Sequence, residues 1–206
     1  MAKKNSKKWF FSVSSVVFSV SCFFMLYLID FGIEKQLFIT FSGCIYYLAL
    51  LGEYRLGRYE KDQTAKGMIA ASLMATMFFF FSSSYGVYLN FVISLWVLMF
   101  FFLVVTFLIT LQYMAIVGHG NRWYLKLIYS FLLGFSMMEF GWVINFWPFG
   151  YLTTGVISLI FYYILWDFVQ DYFLRRLSKK KVVVNSIFFV SLIVLILTTS
   201  KWMPNI

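Results

Sequence analysis

SMMEFGWVINFWPFGY, residues 136–151, decides the fold, because it contains both the body of a lipid-crossing helix and its end. From Ser136 to Trp147 the only charged residue is Glu139, set among apolar and aromatic side chains. Pro148 and Gly150 then stop the run. Proline cannot continue a helical hydrogen-bond ladder and glycine permits turn geometry, so a helix ends here. A tight connection, Pro148 to Leu152, leads into the next one. Followed backward, the apolar run reaches Leu127, which gives it the roughly 20 residues that cross a hydrocarbon core of about 30 Å.

Six further runs have the same character: Trp9–Leu28, Leu37–Leu51, Met68–Tyr88, Phe91–Val117, Thr153–Val169 and Val182–Thr198. The predicted fold class is therefore all-α, a polytopic membrane protein built as a bundle of seven transmembrane helices in one integral membrane domain, residues 1–206. Composition agrees, since only 12% of residues are charged against about a quarter in soluble domains. The second run is short, so its helix is expected to extend into its flanks, with Glu34, Lys35 and Glu53 reaching toward the headgroups. The longest connector, Gly52 to Gly67, mixes both charge signs and reads as helical extension with local pairs, or as a docking surface. In the third run, Ala71 with Ala75 and Ser72 with Thr76 have the i, i+4 spacing of a close-packing face.

A net charge of +9 in a soluble chain points to an acidic partner such as nucleic acid. Here the basic residues sit in connectors, and topology accounts for them without nucleic acid. Lys3, Lys4, Lys7, Lys8, Arg55, Arg58, Lys61, Lys66, Arg122, Lys126, Arg175, Arg176, Lys179, Lys180 and Lys181 fall on one side, with only Lys35 and Lys201 on the other. The positive-inside rule then places the N-terminus in the cytoplasm and the C-terminus outside. Tryptophans 9, 123, 142, 147, 166 and 202 fall near span ends, as indole rings do at the headgroup level. The basic N-terminus resembles a secretory signal, but its apolar run continues past Cys22 and no small-x-small cleavage pattern follows, so it reads as a retained first helix. The expected location is a bacterial-type cytoplasmic (inner) membrane.

Glu139 is the leading site candidate. An ionised carboxylate in hydrocarbon is costly, and such residues usually face the bundle interior, a partner group or a water-filled cavity. Its helical face includes Phe135, Ser136, Trp142, Val143 and Phe146, which offer one hydroxyl, one indole N–H and no cation. The position reads as a ligand-binding or proton-coupling site made by Glu139, Ser136 and Trp142, about nine residues or some 13 Å below the outer surface. The plainer reading is an interhelical hydrogen bond.

Asp167 and Asp171 stand four apart at the cytoplasmic end of the sixth run, a spacing that can hold Mg²⁺ against a diphosphate when other oxygen ligands converge, with Glu53, Glu60 and Asp62 on the same side. Asp171 also lies four before Arg175, an ordinary helical ion pair, and RRLSKKK, residues 175–181, reads as a juxtamembrane basic cluster. His119, the single histidine, sits between glycines in VGHGNRW without partners for catalysis or zinc. Cys22 and Cys44 form no redox motif and read as packing residues. No lysine lies within a span, Lys126 and Lys201 coming only to span ends, which excludes a retinal Schiff base, and no cofactor is expected.

These residues point to a non-enzymatic membrane protein that binds or moves a small or lipid-like ligand, or serves as a membrane subunit of a larger complex, with Glu139 as polar centre. Abundant aromatic surface with few polar groups suits a lipid better than a sugar or ion. Two alternatives stand beside it: an integral membrane enzyme acting on a lipid-linked phosphate or diphosphate through Asp167 and Asp171, and a purely structural or assembly protein. The lipid bilayer is the partner common to all three.

Overall fold

The computed structural model describes residues 2–59, 62–117, 123–173 and 179–199. Within them the chain is all-α, with helices α1 (Ala2–Leu28), α2 (Gly32–Arg58), α3 (Gln63–Asn90), α4 (Leu95–Val117), α5 (Trp123–Ile144), α6 (Tyr151–Phe173) and α7 (Lys179–Thr199). Helices α2 to α7, six in number, are long and apolar enough to cross a membrane, and α1 carries a shorter apolar run over Val13–Leu28. The chain therefore has the build of an integral membrane protein.

Helix ends follow local chemistry. Helix α5 stops at Ile144, three residues before the expected Trp147. Proline at 148 lacks an N–H and its ring collides with the carbonyl of Ile144, four residues back. The chain tightens instead into i to i−3 bonds, with Phe146 N–H donating to Val143 at 3.2 Å and Trp147 N–H to Ile144 at 3.0 Å. Helix α2 overshoots the short run Leu37–Leu51 at both ends and reaches 27 residues, long enough to cross a membrane. What the sequence suggested as a long connector shrinks to residues 59–62.

That connection is clasped by one carboxylate. Asp62 Oδ1 accepts from the amides of Thr64 (2.9 Å) and Ala65 (3.1 Å), capping α3, while Oδ2 receives Arg55 through Nε (3.0 Å) and Nη2 (2.8 Å). An N-cap acceptor satisfies helix amides that have no partner inside the helix. The Ala65 amide first, then the Arg55 guanidinium and the Thr64 amide, hold the Asp62 carboxyl below its ordinary range. A carboxyl with a lower pKa when folded contributes stability above its unfolded value of about 3.9 and loses it as pH falls further. Stability measured in micelles is therefore expected to drop on acidification below pH ~4, with a shallower slope in Asp62→Asn.

Helix α3 is the axis of the bundle, packing against α1, α2, α4 and α6. Phe79, Phe80, Phe81, Ser82 and Ser83 are buried in succession, so this segment has protein on every side. Ser72 and Thr76 of the expected packing face are buried, whereas Ala71 is exposed. Small side chains bring helices close: a Cβ on Gly155 of α6 meets the Ser82 hydroxyl and lies 3.0 Å from Ser82 Cα. Among the described residues Ser82, Thr106, Thr154 and Ser158 are buried without hydrogen-bond partners, while Thr110 and Tyr162 bond across α4 and α6 at 3.1 Å. Gln112 of α4 ties α1 in, accepting from Ser14 N–H (3.1 Å) and donating to Ser14 Oγ (2.9 Å).

Helix α5 packs on α4 and α6 through a stripe of Ser130, Gly134, Met137, Gly141 and Ile144, all buried. The spacings of four and three are those of a helix seam. Helices α2 and α7 lie at the periphery, and none of the apolar window of α7 is buried.

Candidate functional site

A groove runs between α1 and α4 over a floor supplied by α3. Its deepest residues, Ser21, Phe80, Ser83 and Leu98, are buried, whereas Val20, Phe24, Val97 and Phe101 along the rim are exposed. The groove encloses about 230 Å³ and opens sideways, in the half of the bundle that carries the α1–α2 and α3–α4 connections. Its wall is almost wholly hydrocarbon. Ser83 Oγ is committed to the Phe80 carbonyl at 3.2 Å, a bond internal to α3, so the floor presents little polarity to a ligand. Such a surface recognises shape and methylene contact, not charge.

No motif in the sequence marks this groove, because it is made where three helices diverge. The one local signal was the cluster Ser82, Ser83 and Ser84 beside four phenylalanines, small residues placed where neighbouring walls need room.

Glu139 lies elsewhere. It sits five residues from the end of α5, about 7.5 Å of helix rise, because the helix closes before the connection at Pro148. It is exposed on the side of α5 turned away from the bundle, where the interior, a partner group or a cavity was expected. Its neighbours share that orientation: Phe135 and Trp142 are 40% and 49% exposed, Ser136 is half-buried, and Trp142 stacks edge-on against Phe146 at 5.3 Å. The three expected site residues are thus brought together on one face, and none of them lines the groove.

Asp167 and Asp171 share the face of α6 near α7. Asp167 Oδ2 accepts a hydrogen bond of 2.7 Å from Asn185 Nδ2, and Asp171 is buried. Of the carboxylates suggested to join them, Asp62 is taken up by Arg55 and the cap of α3, and Glu60 lies outside the described residues. Among the described residues no group of three or more His, Cys, Asp or Glu side chains gathers as a metal site. The bond to Asn185 gives Asp167 a holding role, since among the described residues α7 packs only on α6. Replacing Asn185 with Leu is expected to loosen α7, lowering disulfide trapping in a Tyr163→Cys, Phe189→Cys pair, where the native Tyr163 and Phe189 rings pack at 5.3 Å, several-fold for a loss of ~1 kcal/mol. Unchanged trapping contradicts that role. His119 and residues 175–178 of the basic cluster fall outside the described residues. Cys22 and Cys44 are free thiols.

A family described as a protein of unknown function, DUF5656, matches residues 4–199. The chain belongs to the DUF5656 family. The match begins in α1 and ends with α7, so the whole helical bundle, groove and Glu139 face included, lies inside the family's extent. No curated protein and no solved structure matches the chain.

Proposed function

We propose that this member of the DUF5656 family is a non-enzymatic multi-pass membrane protein that holds the hydrocarbon chain of a lipid-like ligand in the groove between α1, α3 and α4. One observation carries the reading: a concave apolar site with a buried floor and an exposed rim opens toward the surroundings of the bundle, where lipid chains are the solvent. Ligand sites commonly span about 300–1,000 Å³, so the 230 Å³ here suits a segment of chain with its headgroup left outside. In hydrocarbon the advantage of entering the groove comes from packing contact, because leaving lipid for protein gains no hydrophobic term.

All seven helices cross the membrane in this reading, with the N-terminus cytoplasmic. Support comes from the fifteen basic residues on one side against two on the other. That orientation puts the groove in the outer leaflet, with Ser84 and Tyr88 toward the headgroups. Glu139, Ser136 and Trp142 form a separate surface in the same leaflet.

The test is photolabelling of the reconstituted protein with a phospholipid carrying a diazirine in its acyl chain. Label concentrated on peptides containing Val20, Ser84 and Val97 is the expected result. Label spread over α2 and α7 in proportion to their exposure rejects the groove as a site.

A further inference from the structure

We infer that the outward face of α5 binds a second membrane-spanning polypeptide whose helix carries a lysine or arginine at the depth of Glu139. The buried seam of α5, Ser130, Gly134, Met137, Gly141 and Ile144, fixes the helix rotation. Glu139 falls two residues from both Met137 and Gly141, about 200° around the helix, and faces away from its own bundle. The surface around it is apolar and aromatic, with Phe131, Phe135 and Trp142 between 40% and 51% exposed.

A carboxylate on such a surface is unstable as it stands. An acidic side chain at the centre of a spanning helix costs about 2.5–3.5 kcal/mol on insertion scales, and less toward the ends. Side chains that reach the interface escape this cost, but the Cα–Cβ bond of a helix tilts toward the helix N-terminus. For Glu139 that direction is toward Ser136 and the middle of the bilayer, away from the nearer surface. Among the described residues Glu139 has no hydrogen-bond or ion-pair partner.

Nor, among the described residues, does a second copy offer one. Lys126 is thirteen residues down the same helix, about 20 Å away. Lys35 lies in register with Phe38, Ser42, Ile45, Gly52 and Leu56, the stripe that α2 turns toward its own bundle. Arg55, Arg58, Lys66 and Lys180 belong to the opposite end of the helices. Two copies meeting through α5 set Glu139 against Glu139, a like pair. The complement to an apolar helix face with one carboxylate is an apolar helix with one cation, and a charge-assisted bond gains strength when water is excluded. Ser136, one turn away in the direction the carboxylate points, supplies a further acceptor.

The experiment uses the full chain in liposomes and a synthetic Leu/Ala spanning peptide with one Arg about five residues from its outer end, followed by energy transfer between fluorophores. Matched peptides carry Leu or Glu at that position. The Arg peptide is expected to bind at least about tenfold tighter than the Leu peptide, with the preference weakened in Glu139→Gln and absent in Glu139→Leu. Glu139→Lys is expected to reverse the preference toward the Glu peptide. Glu139 is exposed, so these variants keep the bundle intact, checked by groove photolabelling. Equal binding of the Arg and Leu peptides overturns the inference, as does a preference that survives Glu139→Leu. Energy transfer between two labelled copies that disappears in Glu139→Leu also overturns it, by assigning the face to self-association.

Discussion

Tryptophans placed at Val20 and Val97 are expected to reduce acyl-chain labelling of the groove to the background level of α2 and α7. The two valines stand on opposite rims, on α1 and α4, and are 50% and 41% exposed. Each indole therefore projects into the mouth without entering the packed floor of Phe80 and Leu98. Because the chain is held by contact alone, a side chain occupying the same space competes directly with it. Tryptophans at Val183 and Val194 of α7, both equally exposed and remote from the groove, are the control and leave labelling unchanged. Retained labelling in the Val20→Trp, Val97→Trp double variant contradicts the assignment of the site.

The second large effect concerns the seam between α4 and α5. A Cβ on Gly134 lies 2.8 Å from the Leu103 carbonyl oxygen and 3.3 Å from the Phe107 amide nitrogen. Both are backbone atoms, so they cannot swing aside and the helices must separate. Gly134→Ala is expected to lower stability by about 1–3 kcal/mol, the usual result of overpacking. At Gly43 on α2 a Cβ has nothing within 4 Å, and alanine there removes only the conformational freedom of glycine, so Gly43→Ala is expected to be neutral or to stabilise by up to ~1 kcal/mol. Denaturant unfolding in micelles compares the two. A Gly134→Ala loss no larger than that of Gly43→Ala contradicts the close approach of α4 and α5.

The helices were legible in the sequence because lipid demands long apolar runs and self-satisfied backbone. Their ends were less so: the apolar content of Asn145–Trp147 continues the run, yet Pro148 acts on Ile144 and closes the helix three residues early. Which residues share a face with Glu139 was also readable, since the spacings of three, four and seven gave Phe135, Ser136, Trp142 and Phe146. The direction of that face was not read. In lipid both faces of a helix are apolar, so hydrophobic periodicity does not separate inside from outside. The signal that does is side-chain size, and Ser130, Gly134 and Gly141 carried it on the opposite stripe. Asp167 shows a second limit, because its partner Asn185 is eighteen residues away on another helix and no local spacing announces the pair. The groove lay further beyond reach, being a shape left between three helices.

Orientation ties these parts together, since the groove and Glu139 lie at the same end of the bundle, which the proposed topology sets in the outer leaflet. Tags fused at Met1 and Ile206, probed in intact and permeabilised cells, test it most directly. Accessibility of the Ile206 tag alone in intact cells is the expected result. Both tags reachable from one face contradict seven crossings and the leaflet given to the groove.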